Sequence, residues 1–267
     1  MRILLYAGPA PSREQVLAYA APLFRTAAQS VTLVSGGGAQ HVELLHDAVQ
    51  RLELPDDQPR LLLTYDGNAV EALQRATDQH EYDLVIFGRL QPALQRLIRG
   101  QRSKWLAQKL HPAALRIQGR TGPIRRVLLA SGGDPATRAN AWMIARLLAP
   151  LEAEVTILHV ISQQSLLFEG FQRQPPSSEA FLAGHSAEAL VLSQVAHVLT
   201  TAGLKTQIDI RVGLVLDEIA DTAHGYDLLV IGAHRAETPL DQLLLEDIAG
   251  DLLDLSPIPV LLMKSDV

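Results

Sequence analysis

An internal repeat limits the fold of this chain more than any other feature of its sequence. Three pairs of segments match: residues 2–8 with 126–132, residues 31–34 with 155–158, and residues 82–88 with 226–232. The first two pairs lie 124 residues apart and the third pair lies 144 residues apart. The two halves therefore share one pattern. The second half carries about 20 additional residues, which we place between residues 162 and 186.

Each half consists of short aliphatic runs separated by helical patterns. The runs are continuous rather than alternating, which is typical of parallel strands buried on both faces. We predict strands at residues 2–7, 31–35, 60–64, 83–87, 113–117, 126–131, 154–160, 206–211, 227–231 and 258–263. Helical patterns include residues 12–28, 69–79, 137–148 and 188–202. This alternation predicts an α/β fold with two tandem open parallel sheets, each of five strands with helices on both faces.

The boundary between the halves is predicted at residues 118–123, where two glycines and a proline follow one another closely. We therefore expect a first domain over residues 1–120 and a second over residues 124–267. A pseudo-twofold axis should relate them. One continuous sheet of eight or more parallel strands would contradict this prediction.

Composition excludes several classes of function. The chain has no cysteine, which rules out disulfides, iron–sulfur clusters, Cys-ligated zinc and thiol catalysis. The net charge of −6 gives no general basic signal for nucleic acid. No apolar run approaches the 18 residues or so that a membrane span requires. We expect a cytoplasmic protein that engages neither nucleic acid nor a membrane.

Several motifs resemble those of a universal stress protein domain. They are the first strand with its short loop and long helix, Thr156-Ile157-Leu158-His159-Val160, Tyr226-Asp227-Leu228-Leu229-Val230-Ile231-Gly232, and the closing Ser256-Pro257-Ile258-Pro259-Val260. The resemblance covers nearly the whole chain twice and is closer in the second half. It implies a tandem universal stress protein of the Rossmann-like, adenine-nucleotide alpha-hydrolase-like fold that acts in the stress response.

The same resemblance implies how the two halves associate. Single-domain members of that family usually dimerise, so two fused copies would form a pseudo-dimer within one chain. The last strand of each half is expected at the contact. A protein partner or a homodimer of the whole chain remains open.

Nucleotide-binding members of that family carry an Asp after the first strand and Gly-x2-Gly-x9-Gly-Ser/Thr after the fourth. Glycines let the backbone approach phosphates, and the following helix N-terminus favours anions. This chain departs from both features: the Asp position falls at Ala7 or Gly8 and at Gly132. In the first half Gly88 is kept, Gln91 replaces the middle glycine, and Gly100 comes one residue early. In the second half Gly232 is kept, but Glu246 and Asp247 occupy the Gly-Ser position.

A degenerate ligand site follows from these departures. The candidate nucleotide- or phosphate-binding residues are Gly8, Gly88, Gly100, Gln101, Arg102, Ser103, Gly132 and Gly232. We expect the first domain to bind a phosphate-bearing ligand weakly, ATP or another adenine nucleotide. We expect the second domain not to bind ATP, because a carboxylate repels a phosphate at about 4 Å by roughly 4 kcal/mol at an effective dielectric near 20.

Charge differs sharply between two equivalent segments. Residues 89–126 contain ten Lys or Arg and no Asp or Glu, whereas residues 237–254 contain six Asp or Glu and no Lys or Arg. One interpretation is an anion site beside Gly88 and Gly100. The other is a set of solvated helix faces, or of charges that pair across the contact between the halves.

The sequence gives no support for catalysis. Ser131-Gly132-Gly133-Asp134 resembles the Ser-Gly-Gly-x-Asp-Ser loop of ATP pyrophosphatases, but the Asp comes one residue early and no Ser follows it. The same residues are ordinary turn chemistry before a helix. No histidine spacing fits a metal site or a Ser–His–Asp triad, and His159 reads as a packed residue. We expect no enzyme and no metal. The alternatives are a nucleotide-using enzyme, either an ATP hydrolase or an adenylating enzyme, and a ligand-free interaction scaffold.

Overall fold

The computed structural model describes residues 1–90, 112–162, 177–233 and 249–264. We call the first half lobe 1. Its strands are β1 (Arg2–Tyr6), β2 (Ser30–Gly36), β3 (Arg60–Tyr65), β4 (Leu84–Phe87) and β5 (Ala113–Arg116). Its described helices are α1 (Arg13–Ala27), α2 (Val42–Arg51) and α3 (Ala69–Gln79), with a 3₁₀ turn at Gly38–His41.

We call the second half lobe 2. Its strands are β6 (Arg126–Ala130), β7 (Glu154–Ser162), β8 (Lys205–Gly213), β9 (Leu228–Ala233) and β10 (Val260–Lys264). Its helices include α4 (Pro135–Leu148), α5 (Ser178–Ala183), α6 (Ala187–Thr201) and α7 (Val215–Ala223), with a 3₁₀ turn at Ala149–Leu151. Residues 249–255 are also helical. Across the described parts of both lobes, no helix has the length and apolarity needed to cross a membrane.

The ten strands form one sheet in the order β3-β2-β1-β4-β5-β10-β9-β6-β7-β8. Neighbouring strands run parallel within each lobe, and the predicted α/β class is confirmed. The two sheets are not separate, because β5 and β10 pair antiparallel at the centre. Pairing satisfies the N–H and C=O groups that two edge strands would otherwise leave open.

The repeated Tyr-Asp motif has a structural reason. In lobe 1 the Asp83 carboxylate accepts a hydrogen bond of 2.7 Å from the backbone N–H of Arg2. In lobe 2 the Asp227 carboxylate accepts one of 2.9 Å from the backbone N–H of Arg126. Each Asp therefore fixes the start of the lobe's first strand beside its fourth strand.

The apolar core lies on both faces of the sheet, and on each face it continues through both lobes. Buried Tyr19 of α1 belongs to one of these continuous clusters, and its hydroxyl donates to the Asp227 carbonyl oxygen at 3.0 Å. Burial raises the pKa of Tyr19, and the nearby Asp227 raises it further, so the phenol stays protonated. This hydrogen bond links lobe 1 to lobe 2 from within the core.

Polar contacts reinforce the central pair of strands. The Arg116 guanidinium pairs with the Asp254 carboxylate at 2.5 Å and donates to the Leu253 carbonyl oxygen at 2.7 Å. The Gln118 side chain and the Arg120 backbone N–H donate to the carbonyl oxygens of residues 256 and 257. The Arg116–Asp254 ion pair joins the basic segment, residues 89–126, to the acidic segment, residues 237–254. At this position the charges of the two halves therefore pair across their contact. Most of the remaining charges of the two segments lie outside the described residues.

We predict that Arg116→Ala destabilises the protein by about 1–3 kcal/mol, because it removes a partly buried, charge-assisted contact across the central strands. The Arg116 side chain is only 18% exposed. Urea denaturation of the full chain measures the change in the free energy of unfolding. The control is Lys205→Ala, which breaks the exposed Lys205–Glu154 pair and should cost well under about 1 kcal/mol. Equal losses for the two variants would contradict the role assigned to Arg116.

Candidate functional site

Each lobe has one position where the strand order reverses, between β1 and β4 in lobe 1 and between β6 and β9 in lobe 2. In open α/β sheets, ligands bind beyond the carboxyl ends of the strands at such a point. Gly8 and Gly88 follow β1 and β4, whereas Gly132 follows β6 and Gly232 lies within β9. The structure therefore brings these four predicted residues to the two switch points. The other residues named for the two sites, Gly100, Gln101, Arg102, Ser103, Glu246 and Asp247, lie outside the described residues.

In lobe 1, Gly8 packs against the protein's own side chains. A Cβ at this position would lie 2.5 Å from both the Tyr6 hydroxyl and the Ser35 hydroxyl. Both side chains are buried, and burial raises the pKa of Tyr6 against the opposing effect of its hydrogen bond with Gly36. The neutral phenol therefore fills the space that a glycine at this position would otherwise offer to a ligand.

The space beside Gly88 is also filled by side chains of the protein. A Cβ here would lie 2.5 Å from the Ser12 hydroxyl and 2.5 Å from a methyl group of buried Val16. Ser12 is the N-cap residue of α1, as predicted, but its hydroxyl makes no capping bond. It accepts instead from the backbone N–H of Arg89 at 3.2 Å. Gly88 therefore permits close packing between α1 and the end of β4.

The loop after β1 is held by a cation from within lobe 1. The Arg13 side chain is 12% exposed and donates to the carbonyl oxygens of Ala7 at 3.0 Å and Leu44 at 2.7 Å. It also pairs with the Asp47 carboxylate at 2.9 Å. Its donors therefore serve the protein's own carbonyl and carboxylate groups.

In lobe 2, the loop after β6 is a helix cap. The Asp134 carboxylate accepts from the Thr137 backbone N–H at 2.8 Å and from the Thr137 hydroxyl at 3.1 Å. The Ser131 hydroxyl accepts from the Gly133 backbone N–H at 3.1 Å. Gly133 has φ +74, and a Cβ there would lie 2.6 Å from Glu188 of α6. These contacts favour the turn interpretation of Ser131–Asp134 over the pyrophosphatase-like one.

Gly132 and Gly232 differ from their counterparts in lobe 1 because, among the described residues, little packs against them. A Cβ at Gly232 would meet none of the described atoms within 4 Å, and one at Gly132 would meet only the Asp134 carboxylate at 3.1 Å. Both glycines are exposed. Because Ala130 pairs with Ile231 in adjacent strands, both glycines lie close to the carboxyl ends of two neighbouring strands. We call this pair of exposed glycines the lobe 2 notch.

His159 sits beside the Ser131 loop as a packed residue, in agreement with the sequence analysis. It is 7% exposed, and its Nδ1 lies 3.0 Å from the Ser131 carbonyl oxygen. Since a carbonyl only accepts, Nδ1 carries the hydrogen of this bond. The ring also packs on Phe181 of α5, with 5.3 Å between centroids. His159 therefore supports the loop from behind.

The sequence analysis did not anticipate a serine–histidine pair at the end of β2. The Ser35 hydroxyl lies 3.1 Å from His41 Nδ1, and both groups also hydrogen-bond to the Gly36 carbonyl oxygen. Only the adjacency of the two elements reveals this pair, because six residues separate them without a catalytic motif. Nδ1 must carry a hydrogen to bond the carbonyl, so in this arrangement it cannot accept the serine proton. No group of three or more His, Asp or Glu in the described ranges is arranged to hold a metal ion.

We predict that Gly8→Ala and Gly88→Ala each cost about 1–3 kcal/mol of stability, because the added methyl group meets buried atoms. Gly232→Ala should change stability by less than about 0.5 kcal/mol, since a Cβ there meets none of the described atoms within 4 Å. Equilibrium urea denaturation of the three variants tests the contrast. A similar loss in all three would show that the two switch points are equally filled.

Comparison with known proteins identifies the family. Residues 123–264, more than half of the chain, match the model of the Universal stress protein family. A candidate universal stress protein from Pseudomonas aeruginosa is 17% identical, covers 99% of this chain and 93% of its own, and has a TM-score of 0.68. A universal stress protein from Archaeoglobus fulgidus is 13% identical, covers 98% of both chains, and has a TM-score of 0.66.

The same fold also serves other proteins. The cytoplasmic domain of a prokaryotic cation chloride cotransporter is 10% identical, covers 98% of this chain and 94% of its own, and has a TM-score of 0.53. Among curated proteins, none matches the sequence significantly. These structural likenesses establish the fold, and the family match rests on residues 123–264. The chain belongs to the universal stress protein family.

Proposed function

We propose that this chain is a non-catalytic, cytoplasmic stress-response protein of two fused universal stress lobes, in which only lobe 2 keeps an accessible ligand site. Three observations support a tandem arrangement. The two halves share the strand order, the Tyr-Asp contact and the matched segments of the sequence. The antiparallel pairing of β5 with β10 supports the proposal that the two lobes form a pseudo-dimer within one chain.

The lobe 2 notch is the observation that carries the ligand proposal. The sequence analysis placed residual phosphate binding in lobe 1, but Gly8 and Gly88 there contact Tyr6, Ser35, Ser12 and Val16. At the equivalent position of lobe 2, a Cβ on Gly232 would meet none of the described atoms within 4 Å, and one on Gly132 would meet only the Asp134 carboxylate. The geometry therefore favours lobe 2 for an adenine nucleotide of the kind that the family resemblance implies.

The expected ligand carries little negative charge. Glu246 and Asp247 follow β9 in the sequence, and two carboxylates near a phosphate chain oppose its binding. Asp134 adds a carboxylate beside the notch, 3.1 Å from the position of a Gly132 Cβ. We propose an adenine nucleoside or its monophosphate rather than ATP.

Two contacts argue against the enzyme alternatives. The Ser35–His41 pair lacks a free base, because His41 Nδ1 donates to the Gly36 carbonyl oxygen. The Asp134 carboxylate caps α4 through Thr137, so the loop that resembles a pyrophosphatase loop serves the helix. Neither arrangement supplies an activated nucleophile.

We predict that AMP binds the full chain and that Gly232→Val weakens this binding at least tenfold, which is about 1.4 kcal/mol. The valine side chain would fill the notch, and a β-branched residue suits a strand position. Isothermal titration calorimetry with AMP and with ATP measures both affinities. ATP should bind more weakly than AMP.

The matched control is Gly122→Val, since a Cβ at Gly122 also meets none of the described atoms within 4 Å but this residue lies in the linker between the lobes. It should leave AMP binding unchanged. If wild-type protein binds neither nucleotide, the ligand-free scaffold becomes the better description. If AMP binds wild type and Gly232→Val equally, the site lies elsewhere.

A further inference from the structure

A second surface of lobe 2 stands apart from the switch point. Helices α4 and α6 enclose an open groove with a volume of about 770 Å³. Its lining includes Arg138, Trp142, Leu190 and His197. We call it the Trp142 groove. The Trp142 side chain is 63% exposed and Leu190 is 50% exposed, although both are large and apolar.

Arg138 lines this groove and donates to the Gln194 side chain at 3.1 Å, whereas Arg146 lies outside the lining, one turn beyond Trp142 along α4. Arg138, Trp142 and Arg146 follow one another at intervals of four residues, so they share one face of α4, and all three are exposed. His197 of α6 lies opposite, and no Asp or Glu lines the groove. Among the ion pairs of the described residues, none involves Arg138 or Arg146. A groove lined by an arginine and by no carboxylate, on a protein of net charge −6, fits an acidic occupant.

In lobe 1 the equivalent helices, α1 and α2, carry different residues at the positions that line the groove. With the repeat spacing of 124, Glu14 and Ala18 of α1 correspond to Arg138 and Trp142. Arg51 of α2 pairs with Glu14, and Arg13 pairs with Asp47 at 2.9 Å, so charges cover the surface between α1 and α2. The fold therefore does not require an exposed tryptophan at this position. Exposed aromatic and aliphatic side chains together with arginine are typical of the centre of a binding surface.

We propose that the Trp142 groove docks an acidic amphipathic helix of a partner protein. Apolar side chains of that helix would pack on Trp142 and Leu190, while its carboxylates would pair with Arg138 and Arg146. A second copy of this chain fits less well, because twofold pairing of the groove would bring two arginine stripes together.

The test uses a fluorescein-labelled 18-residue helical peptide of leucine and glutamate, with leucines along one face. Fluorescence anisotropy with the full chain should show binding that weakens as salt is added. Trp142→Ser should weaken this binding at least tenfold, and so should the double variant Arg138→Glu/Arg146→Glu. Circular dichroism checks that both variants remain folded, which is expected because all three side chains are exposed.

Two controls distinguish docking in the groove from non-specific binding of the peptide. Leu255→Ser removes a 71% exposed apolar side chain elsewhere on lobe 2 and should leave peptide binding unchanged. A peptide with lysine in place of glutamate should bind at least tenfold more weakly to the wild-type protein.

Four results would overturn the proposal. They are an absence of peptide binding, equal binding of the glutamate and lysine peptides, unchanged binding by Trp142→Ser, and self-association or binding to phosphatidylserine vesicles that depends on Trp142. Because none of these variants touches Gly132 or Gly232, the outcome is independent of nucleotide binding at the lobe 2 notch.

Discussion

The antiparallel pairing of β5 with β10 is the contact on which the rest of the architecture depends. Each lobe by itself is an open parallel sheet whose last strand has one unpaired side. Joining the two last strands gives those backbone groups partners and fixes the lobes relative to one another. The strands of lobe 2 therefore run opposite to those of lobe 1. As a result, the carboxyl ends of the strands, where the two switch points lie, point in opposite directions.

The two lobes have diverged in how they use their switch points. In lobe 1 the glycines serve internal packing, with Tyr6 behind Gly8 and Ser12 behind Gly88. In lobe 2 the described residues leave the equivalent glycines largely uncovered, while Asp134 and Ser131 stabilise the adjoining loop.

The sequence predicts the fold well because the signals for strands and helices are local. Continuous aliphatic runs mark the strands, and the repeated Tyr-Asp pair marks the start of each fourth strand. The site is harder to predict. A glycine indicates that some group lies close to the backbone, but its spacing does not show whether that group is a ligand or one of the protein's own side chains. Nothing in the spacing of Gly8 shows that the Tyr6 hydroxyl fills the space beside it. The exposure of Trp142 cannot be predicted from the sequence either, because it depends on how α4 packs against its neighbouring helices.

The order of synthesis has a consequence for the central strands. Arg116 of β5 and its partner Val260 of β10 lie 144 residues apart in the sequence. At about 5–20 residues per second, the ribosome takes roughly 7–30 s to make the intervening chain. Throughout that time lobe 1 can be folded while β5 still lacks its neighbour. A nascent chain with an open, apolar edge strand is exposed to mispairing with other chains, so translation speed and chaperone access bear on the yield of this protein.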